Sequence, residues 1–158
     1  MTGTPPPRPE YTVTACVLLR REGRWLLTVR GLEVDDAAGR LGLVGGHVEQ
    51  RGAATGVLEA TARREAAEET GLDLSGSGLR YLESELFSTD LGQAQVCVTF
   101  VAPAPADARP RAADPREVAE VGWWSVEQAR ADPRCPAWLP DLLVRAGVAL
   151  DVELSRSR

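Results

Sequence analysis

Residues 11–19 are rich in Thr, Val and Leu and predict a strand. Arg20-Arg21-Glu22-Gly23 predicts a hairpin turn, from which residues 25–29 pair back as a second strand. Residues 32–40, with Glu33, Asp35 and Asp36, show no period and predict a loop with these acids on its surface. A short strand over residues 41–44 leads into Gly45 and Gly46, a pair that lets the backbone turn sharply or approach a ligand closely. A helix is predicted from about Gly56 to Thr70, N-capped by Thr55. Its apolar stripe of Leu58, Ala62 and Ala66, with Thr61, is thin, and its small residues permit close approach to a sheet. After a Ser/Gly link at residues 75–78, strands are predicted over residues 79–88 and 93–101, joined near Asp90-Leu91-Gly92. The alternation of Val96, Val98 and Phe100 marks the second of these as half-buried.

Residues 102–115 are rich in Pro, Ala and Asp and predict an exposed loop. A short strand over residues 117–124 ends in Trp123 and Trp124, and Ser125 is placed to cap a helix over residues 126–131. A last helix is expected over residues 136–149, with Leu139, Leu142, Leu143 and Ala146 on one face. Pro140 falls in its first turn or marks a late start. Residues 1–10, with four prolines, read as a flexible arm, and residues 151–158 as a frayed tail. Residues 11–150 make one domain of the α/β class, with a mixed sheet between helices.

Composition narrows the function. A chain of 158 residues can bury a sizeable core, and a net charge of −5 argues against a broad nucleic-acid surface. Every basic side chain other than the single His is Arg, so lysine nucleophile and Schiff-base chemistry are excluded. Arg remains to grip phosphates, which it does through bidentate hydrogen bonds. Cys16, Cys97 and Cys135 lack the spacing of a metal site or a disulfide framework. Cys16 and Cys97, in apolar runs, read as buried free thiols. No apolar run approaches the ~18 residues of a membrane span and no secretion signal is visible, so a cytoplasmic protein is expected.

The chemistry concentrates in Arg64-Glu65-Ala66-Ala67-Glu68-Glu69-Thr70-Gly71-Leu72. Three carboxylates at i, i+3 and i+4 share one helix face, where like charges repel. Ala66 and Ala67 fill the gaps, so nothing inside the cluster neutralises it. Either this is a solvated acidic helix end or it holds a hard divalent cation such as Mg²⁺, which takes oxygen ligands and bridges carboxylates to phosphates. Gly71 stands where a helix C-terminal stop belongs.

Residues 46–72 resemble the signature of the Nudix hydrolase family: Gly, five residues, Glu, seven residues, then Arg-Glu-apolar-x-Glu-Glu-x-Gly-apolar. The second half matches from Arg64 to Leu72. In the first half, Gly56 stands where the pattern has Glu, and an insertion lies within residues 50–55. Leu41 and Val44 replace the Trp and Pro usual in the entry to the signature. The resemblance implies an α/β/α sandwich. It also implies hydrolysis of a pyrophosphate bond in a nucleoside diphosphate derivative, with Mg²⁺ as cofactor and Mn²⁺ as substitute.

By that resemblance Glu65, Glu68 and Glu69 are metal ligands and catalytic residues, with the Gly46 carbonyl as a further ligand. Arg64 orients the glutamates, and Glu59 or Glu49 replaces its missing partner. Glu120 is the candidate for a distant base or ligand. Glu117 lies beside it in the sequence. His47 is either a base or phosphate contact or an ordinary loop histidine. Arg30 and Arg40 are candidate phosphate contacts, and Trp123 a candidate stacking platform. The small domain leans toward nucleoside triphosphates or dinucleoside polyphosphates over nucleotide sugars such as ADP-ribose. The competing reading is a nucleotide-sensing module that does not cleave. An adaptor with a chance acidic helix would bind neither metal nor nucleotide. A homodimer through the proline arm or exposed strand edges completes the expectations; no nucleic-acid or membrane partner is expected.

Overall fold

The computed structural model describes residues 8–156, apart from residue 53 and the side chain of residue 154. Most of the expected proline arm therefore lies outside the described residues. The elements run β1 (Thr12–Arg21), β2 (Arg24–Arg30), β3 (Leu41–Gly42), β4 (Val44–His47), α1 (Val57–Thr70), β5 (Arg80–Ser88), β6 (Ala94–Pro103), β7 (Val118–Trp124), α2 (Val126–Ala131) and α3 (Leu139–Arg156).

The β1–β2 turn is two residues, Glu22 at φ 50° and Gly23 at φ 75°. Two positive φ angles in succession match the right-handed twist of a tight hairpin, and they set the register Arg21↔Arg24. The sheet path is β3-β2-β1-β6-β5, with β4 joined to β1 and β7 to β2. Pairing between β1 and β6 is parallel, from Thr12↔Gln95 to Arg20↔Pro103. On its other edge β1 pairs β2 only at Arg20 and Arg21 and pairs β4 from Thr14 to Val17. The sheet thus splits, and the glycines of β4 enter alongside the first half of β1.

Side chains alternate across β1 and supply two cores. Ala15, Val17 and Leu19 pack with Leu26, Val44, Phe100 and the α1 residues Ala62 and Ala66. Leu18 faces the other way and packs with Trp25, Leu27, Val101 and the α3 residues Leu139, Leu142, Leu143 and Ala146. One helix on one face and two on the other give the α/β/α sandwich. Strand β6 is not half-buried as its alternation predicts. It lies between β1 and β5, and Val98, Thr99, Phe100, Val101 and Ala102 are all buried because both faces are covered.

Three boundaries differ from expectation. Helix α1 is not capped by Thr55: Gly56, at φ 65°, is the N-cap, with no side-chain cap bond. Its carbonyl accepts from Ala60 at 3.0 Å, and Glu59 supplies a first-turn carboxylate that complements the helix dipole. Helix α3 starts at Leu139, so Pro140 sits in the first turn, where a missing N–H costs little. The helix then runs on to Arg156, through the region expected to fray. Arg20 pairs Asp151 at 2.7 Å and Arg80 pairs Glu153 at 2.9 Å, tying that extension to β1 and β5. The capping of α2 is as predicted: Ser125 and Gln128 form a reciprocal capping box.

Candidate active site

The buried face of α1 runs Leu58, Ala62, Glu65, Ala66, Glu69. Its first half is apolar, but two carboxylates occupy the same face one and two turns later. Glu65 is 8% exposed and Glu69 5%. An apolar side chain buried there would contribute roughly 1.5–3 kcal/mol, whereas a buried unpaired carboxylate is costly. The sequence placed the three acids together; the structure divides them, burying Glu65 and Glu69 and leaving Glu68 exposed.

The helix end adds to the negative potential. Gly71, at φ 71°, closes α1 in the left-handed conformation and donates to the Ala67 carbonyl at 3.0 Å. That bond is the αL stop, and Leu72 donates to the Ala66 carbonyl at 3.4 Å beside it. The last turn holds Glu68 and Glu69 and no basic residue. Carboxylates at a helix C-terminus add to the negative end of the dipole instead of offsetting it, so this end of α1 attracts a cation.

The glycine loop meets these acids directly. Gly45 N–H donates to Glu69 Oε2 at 3.1 Å. A Cβ on Gly46 would overlap the Glu65 carboxylate, so glycine is required for the close approach. Burial pushes the Glu69 carboxyl up to about 8, against the Gly45 hydrogen bond and aided by the Glu65 charge. Burial also raises Glu65, opposed by Arg64 and aided by Glu68.

Arg64 holds the arrangement together without the partner the signature would supply. Its guanidinium lies 2.8 Å from Glu65 Oε1 and 2.8 Å from Glu68 Oε2, and donates to the His47 carbonyl at 3.0 Å. Neither Glu59 nor Glu49 pairs with it. Glu49 is bound to Arg51, a residue of the inserted loop, and Glu59 serves the first turn of α1. The His47 side chain is exposed, and its backbone is what the site uses.

The other predicted residues divide. Arg30 is brought to the site: its charge acts on Glu69, and its Nε donates to the Asp36 carbonyl at 2.9 Å. Arg40 is exposed at the end of the same loop. Asp36 is more than loop surface, because it accepts from Asp90 N–H at 2.9 Å while Asp90 accepts from Ala37 N–H at 3.1 Å. Glu120 is engaged elsewhere, paired with Arg134 at 2.7 Å. Trp123 is half-buried beside the α1 core, and the Arg21 guanidinium already stacks on its ring, 4.3 Å from the ring centre.

Glu117, an exposed acid of that segment, is near enough for its charge to add to the rise of both Glu65 and Glu69. The segment before it is docked by backbone bonds from Arg111 to Thr70 and from Ala113 to Glu69, each 3.0 Å, at the end of α1. Gly31 N–H then donates to the Glu117 carbonyl at 2.8 Å. A side chain on Gly31 would overlap the Arg116 carbonyl. Sequence separation hid this placement; the one signal was an acid beside the chosen Glu120.

The donors fit a hard divalent cation: carboxylate oxygens, two of them buried, around a glycine cradle without a bulky neighbour. Among the described residues no three acid, His or Cys side chains are gathered tightly enough to hold one ion, and Glu65 and Glu68 are each paired with Arg64. No helix of the described residues is long and apolar enough to cross a membrane.

Solved structures share this architecture. A MutT NUDIX hydrolase from Burkholderia pseudomallei superposes with a TM-score of 0.71 at 23% identity, covering 87% of this chain and 98% of that one. A MutT protein from Methanosarcina mazei Go1 gives 0.69 at 25% identity, covering 88% and 94%. The NUDIX domain of Shewanella oneidensis NrtR, in complex with ADP ribose, gives 0.72 at 21% identity, covering 94% of each chain. No curated protein matches the sequence. The NUDIX domain model matches residues 10–143, and on that match, with its acid-bearing helix packed against a glycine loop, the chain belongs to the Nudix hydrolase family.

Proposed function

We propose that the protein hydrolyses a pyrophosphate bond in a nucleoside triphosphate or dinucleoside polyphosphate, with Mg²⁺ or Mn²⁺ held by Glu65, Glu68, Glu69 and the Gly46 carbonyl. The observation that carries this is the burial of Glu65 and Glu69 against Gly45 and Gly46 at the negative end of α1. The cation, when bound, neutralises phosphate charge and lowers the pKa of its water.

The chain's own residues supply the rest. Glu69, with Oε2 accepting from Gly45 N–H and its carboxyl raised to about 8 by burial, would give up its proton to hold a cation. Arg64 keeps Glu65 and the His47 carbonyl in register, so helix and loop present their oxygens together. Arg30 offers a guanidinium to a phosphate oxygen beside Glu69. Glu117 replaces Glu120 as the distant acid, positioned to accept a proton from water or to complete the ligand set. Positioning and electrostatics are what phosphoryl transfer asks of a protein.

The substrate class rests on the small size of the matched domain, residues 10–143, and the neighbours do not narrow it. A C. elegans Ap4A hydrolase superposes with a TM-score of 0.69 at 16% identity, while the NrtR domain holds ADP ribose, so both classes remain in the test. Location in the cytoplasm, and a homodimer through the exposed Tyr81, Leu86 and Phe87 of edge strand β5, belong to the same proposal. The experiment is phosphate or pyrophosphate release from a panel of nucleoside triphosphates, dinucleoside polyphosphates and nucleotide sugars. It is run with Mg²⁺, Mn²⁺ or EDTA, beside the Glu68→Gln/Glu69→Gln double variant. Metal-dependent turnover of one class, lost in the variant, supports the proposal. One observation favours the sensing module: Gly56 stands in the place of a glutamate, and Arg64 pairs instead with the acids themselves. Nucleotide-dependent thermal stabilisation without turnover would select that reading.

A further inference from the structure

Cys16 and Cys97 sit on neighbouring parallel strands, β1 and β6, diagonally offset by two residues along the ladder. Thr14 is opposite Cys97, and Cys16 is opposite Thr99. The two sulfurs are 3.4 Å apart, and both residues are half-buried free thiols rather than fully buried ones. A disulfide needs about 2.0 Å between sulfurs, so bonding requires the 3.4 Å gap to close by about 1.4 Å. Hydrogen bonding between the Cys97 and Cys16 sulfurs, helped by the Thr14 and Thr99 hydroxyls and opposed by burial, brings the Cys97 thiol down to about 7. At neutral pH it is then about half thiolate, against a few per cent for a free cysteine near 8.5.

The pair also touches the site. Cys16 is the ladder partner of Gly45, and a Cβ on Gly45 would lie 2.6 Å from Cys16 Sγ. Only glycine leaves room for that sulfur, and the same Gly45 donates its N–H to Glu69. Moving Cys16 Sγ away from Gly45 and toward Cys97 changes the packing beside this donor, where Gly45 lies tight against the β1 backbone as well as the sulfur.

We propose that Cys97 and Cys16 form a dithiol oxidised by hydroperoxides, and that their disulfide displaces the glycine loop from Glu69 and shuts the hydrolase down. The Cys97 thiolate attacks one peroxide oxygen. The O–O bond breaks, hydroxide leaves and takes up a proton as water, and Cys97 becomes a sulfenic acid. Cys16 sulfur then attacks the Cys97 sulfur and gives up its proton, and the sulfenic oxygen leaves as a second water. In net, two thiols and one hydrogen peroxide give one disulfide and two waters. A dithiol reductant reverses the change. The cross-link stands independently of the function proposed above; only its effect on turnover rests on that reading.

The test uses the full chain carrying Cys135→Ser, so that the third thiol contributes nothing. Reduced protein is exposed to hydrogen peroxide and analysed by intact mass and by peptide mapping without reductant. Turnover on the substrate identified by the panel is followed before and after dithiothreitol. The expected result is loss of two hydrogens, a Cys16–Cys97 linked peptide, and a tenfold or greater fall in turnover that dithiothreitol restores. Adding Cys97→Ser should leave turnover unchanged and insensitive to peroxide. Adding Cys16→Ser should leave Cys97 as a sulfenic acid trapped by dimedone. Oxygen added to the protein with no linked peptide, or two thiols that stay free, overturns the proposal. A linked peptide with full turnover overturns its control of the site. If no substrate turns over in either state, the linked peptide alone decides the chemistry.

Discussion

Glu69→Gln should make the metal-free protein more stable, by an amount that grows as pH rises from about 5 to about 8. The folded state holds the Glu69 proton up to about 8, against an ordinary value of 4.5. A raised carboxyl means the folded state binds the proton more tightly than the unfolded chain. The favourable contribution is therefore complete below about pH 4.5 and is lost as pH rises through about 8. At about 1.4 kcal/mol per pH unit, the full loss is about 4 to 5 kcal/mol. Gln keeps the size and an oxygen for Gly45 N–H but never ionises. Replacing a charged acceptor by a neutral one forfeits about 1 kcal/mol of that hydrogen bond, leaving a gain of about 3 to 4 kcal/mol at pH 8.5. At pH 5 the difference falls within about 1 kcal/mol. Urea melts of both proteins in EDTA at the two pH values measure it. At roughly 2–4 °C per kcal/mol for a domain of this size, thermal melts at pH 8.5 should separate by several degrees. Saturating Mg²⁺ should then raise the wild type and leave the variant nearly unmoved. If Glu69→Gln destabilises equally at both pH values, the carboxylate is held by its hydrogen bond and not penalised by burial, and the reasoning fails.

Glu117→Gln should weaken divalent-cation binding roughly three- to tenfold, through loss of one charge near Glu65 and Glu69. Glu120→Gln, removing a carboxylate already paired with Arg134, should change it less than about twofold; titration of both variants with Mn²⁺ separates them. Gly71→Ala should cost about 1–2 kcal/mol, because a Cβ is forced into the left-handed region, while its nearest neighbour, Arg111 Nε at 3.4 Å, is an ordinary contact; urea denaturation reads this directly. Arg64→Ala should lower turnover with little change in the denaturation midpoint of the apo protein, because the freed Glu65 and Glu68 lose their register against His47 without loss of core packing. A variant that simply unfolds would refute that assignment.

The site helix was legible because its signals are local. Three acids at helical spacing, small residues between them and a terminal glycine lie within nine positions, and periodicity alone puts the acids on one face. The sandwich followed from strand composition and the apolar face of α3. What escaped was set by tertiary pairing. Nothing in Val96, Val98 and Phe100 reveals that β6 runs parallel to β1 and is covered on both faces. The division of the triad into two buried acids and one exposed depends on how deeply α1 sits against β4, and Gly45 and Gly46 decide that. Sequence cannot say which acid around the start of β7 comes near the buried pair: Glu120 pairs with Arg134, while the Glu117 charge acts on Glu65 and Glu69. The answer lies in Gly31 holding the Glu117 carbonyl. Thr55 was a sound cap by residue type, but a left-handed Gly56 lies between it and the helix.

Proton release on cation binding tests the central claim most directly. Calorimetric titration of the apo protein with Mg²⁺ or Mn²⁺ at pH 7, repeated in buffers of different ionisation enthalpy, counts the protons displaced. With the Glu69 carboxyl near 8, nearly one proton should leave per protein as the buried acid becomes a ligand, and none should leave from Glu69→Gln. Tight binding with no proton release, unchanged in Glu69→Gln, would show that the cation sits elsewhere and that the buried glutamates of α1 are not its site.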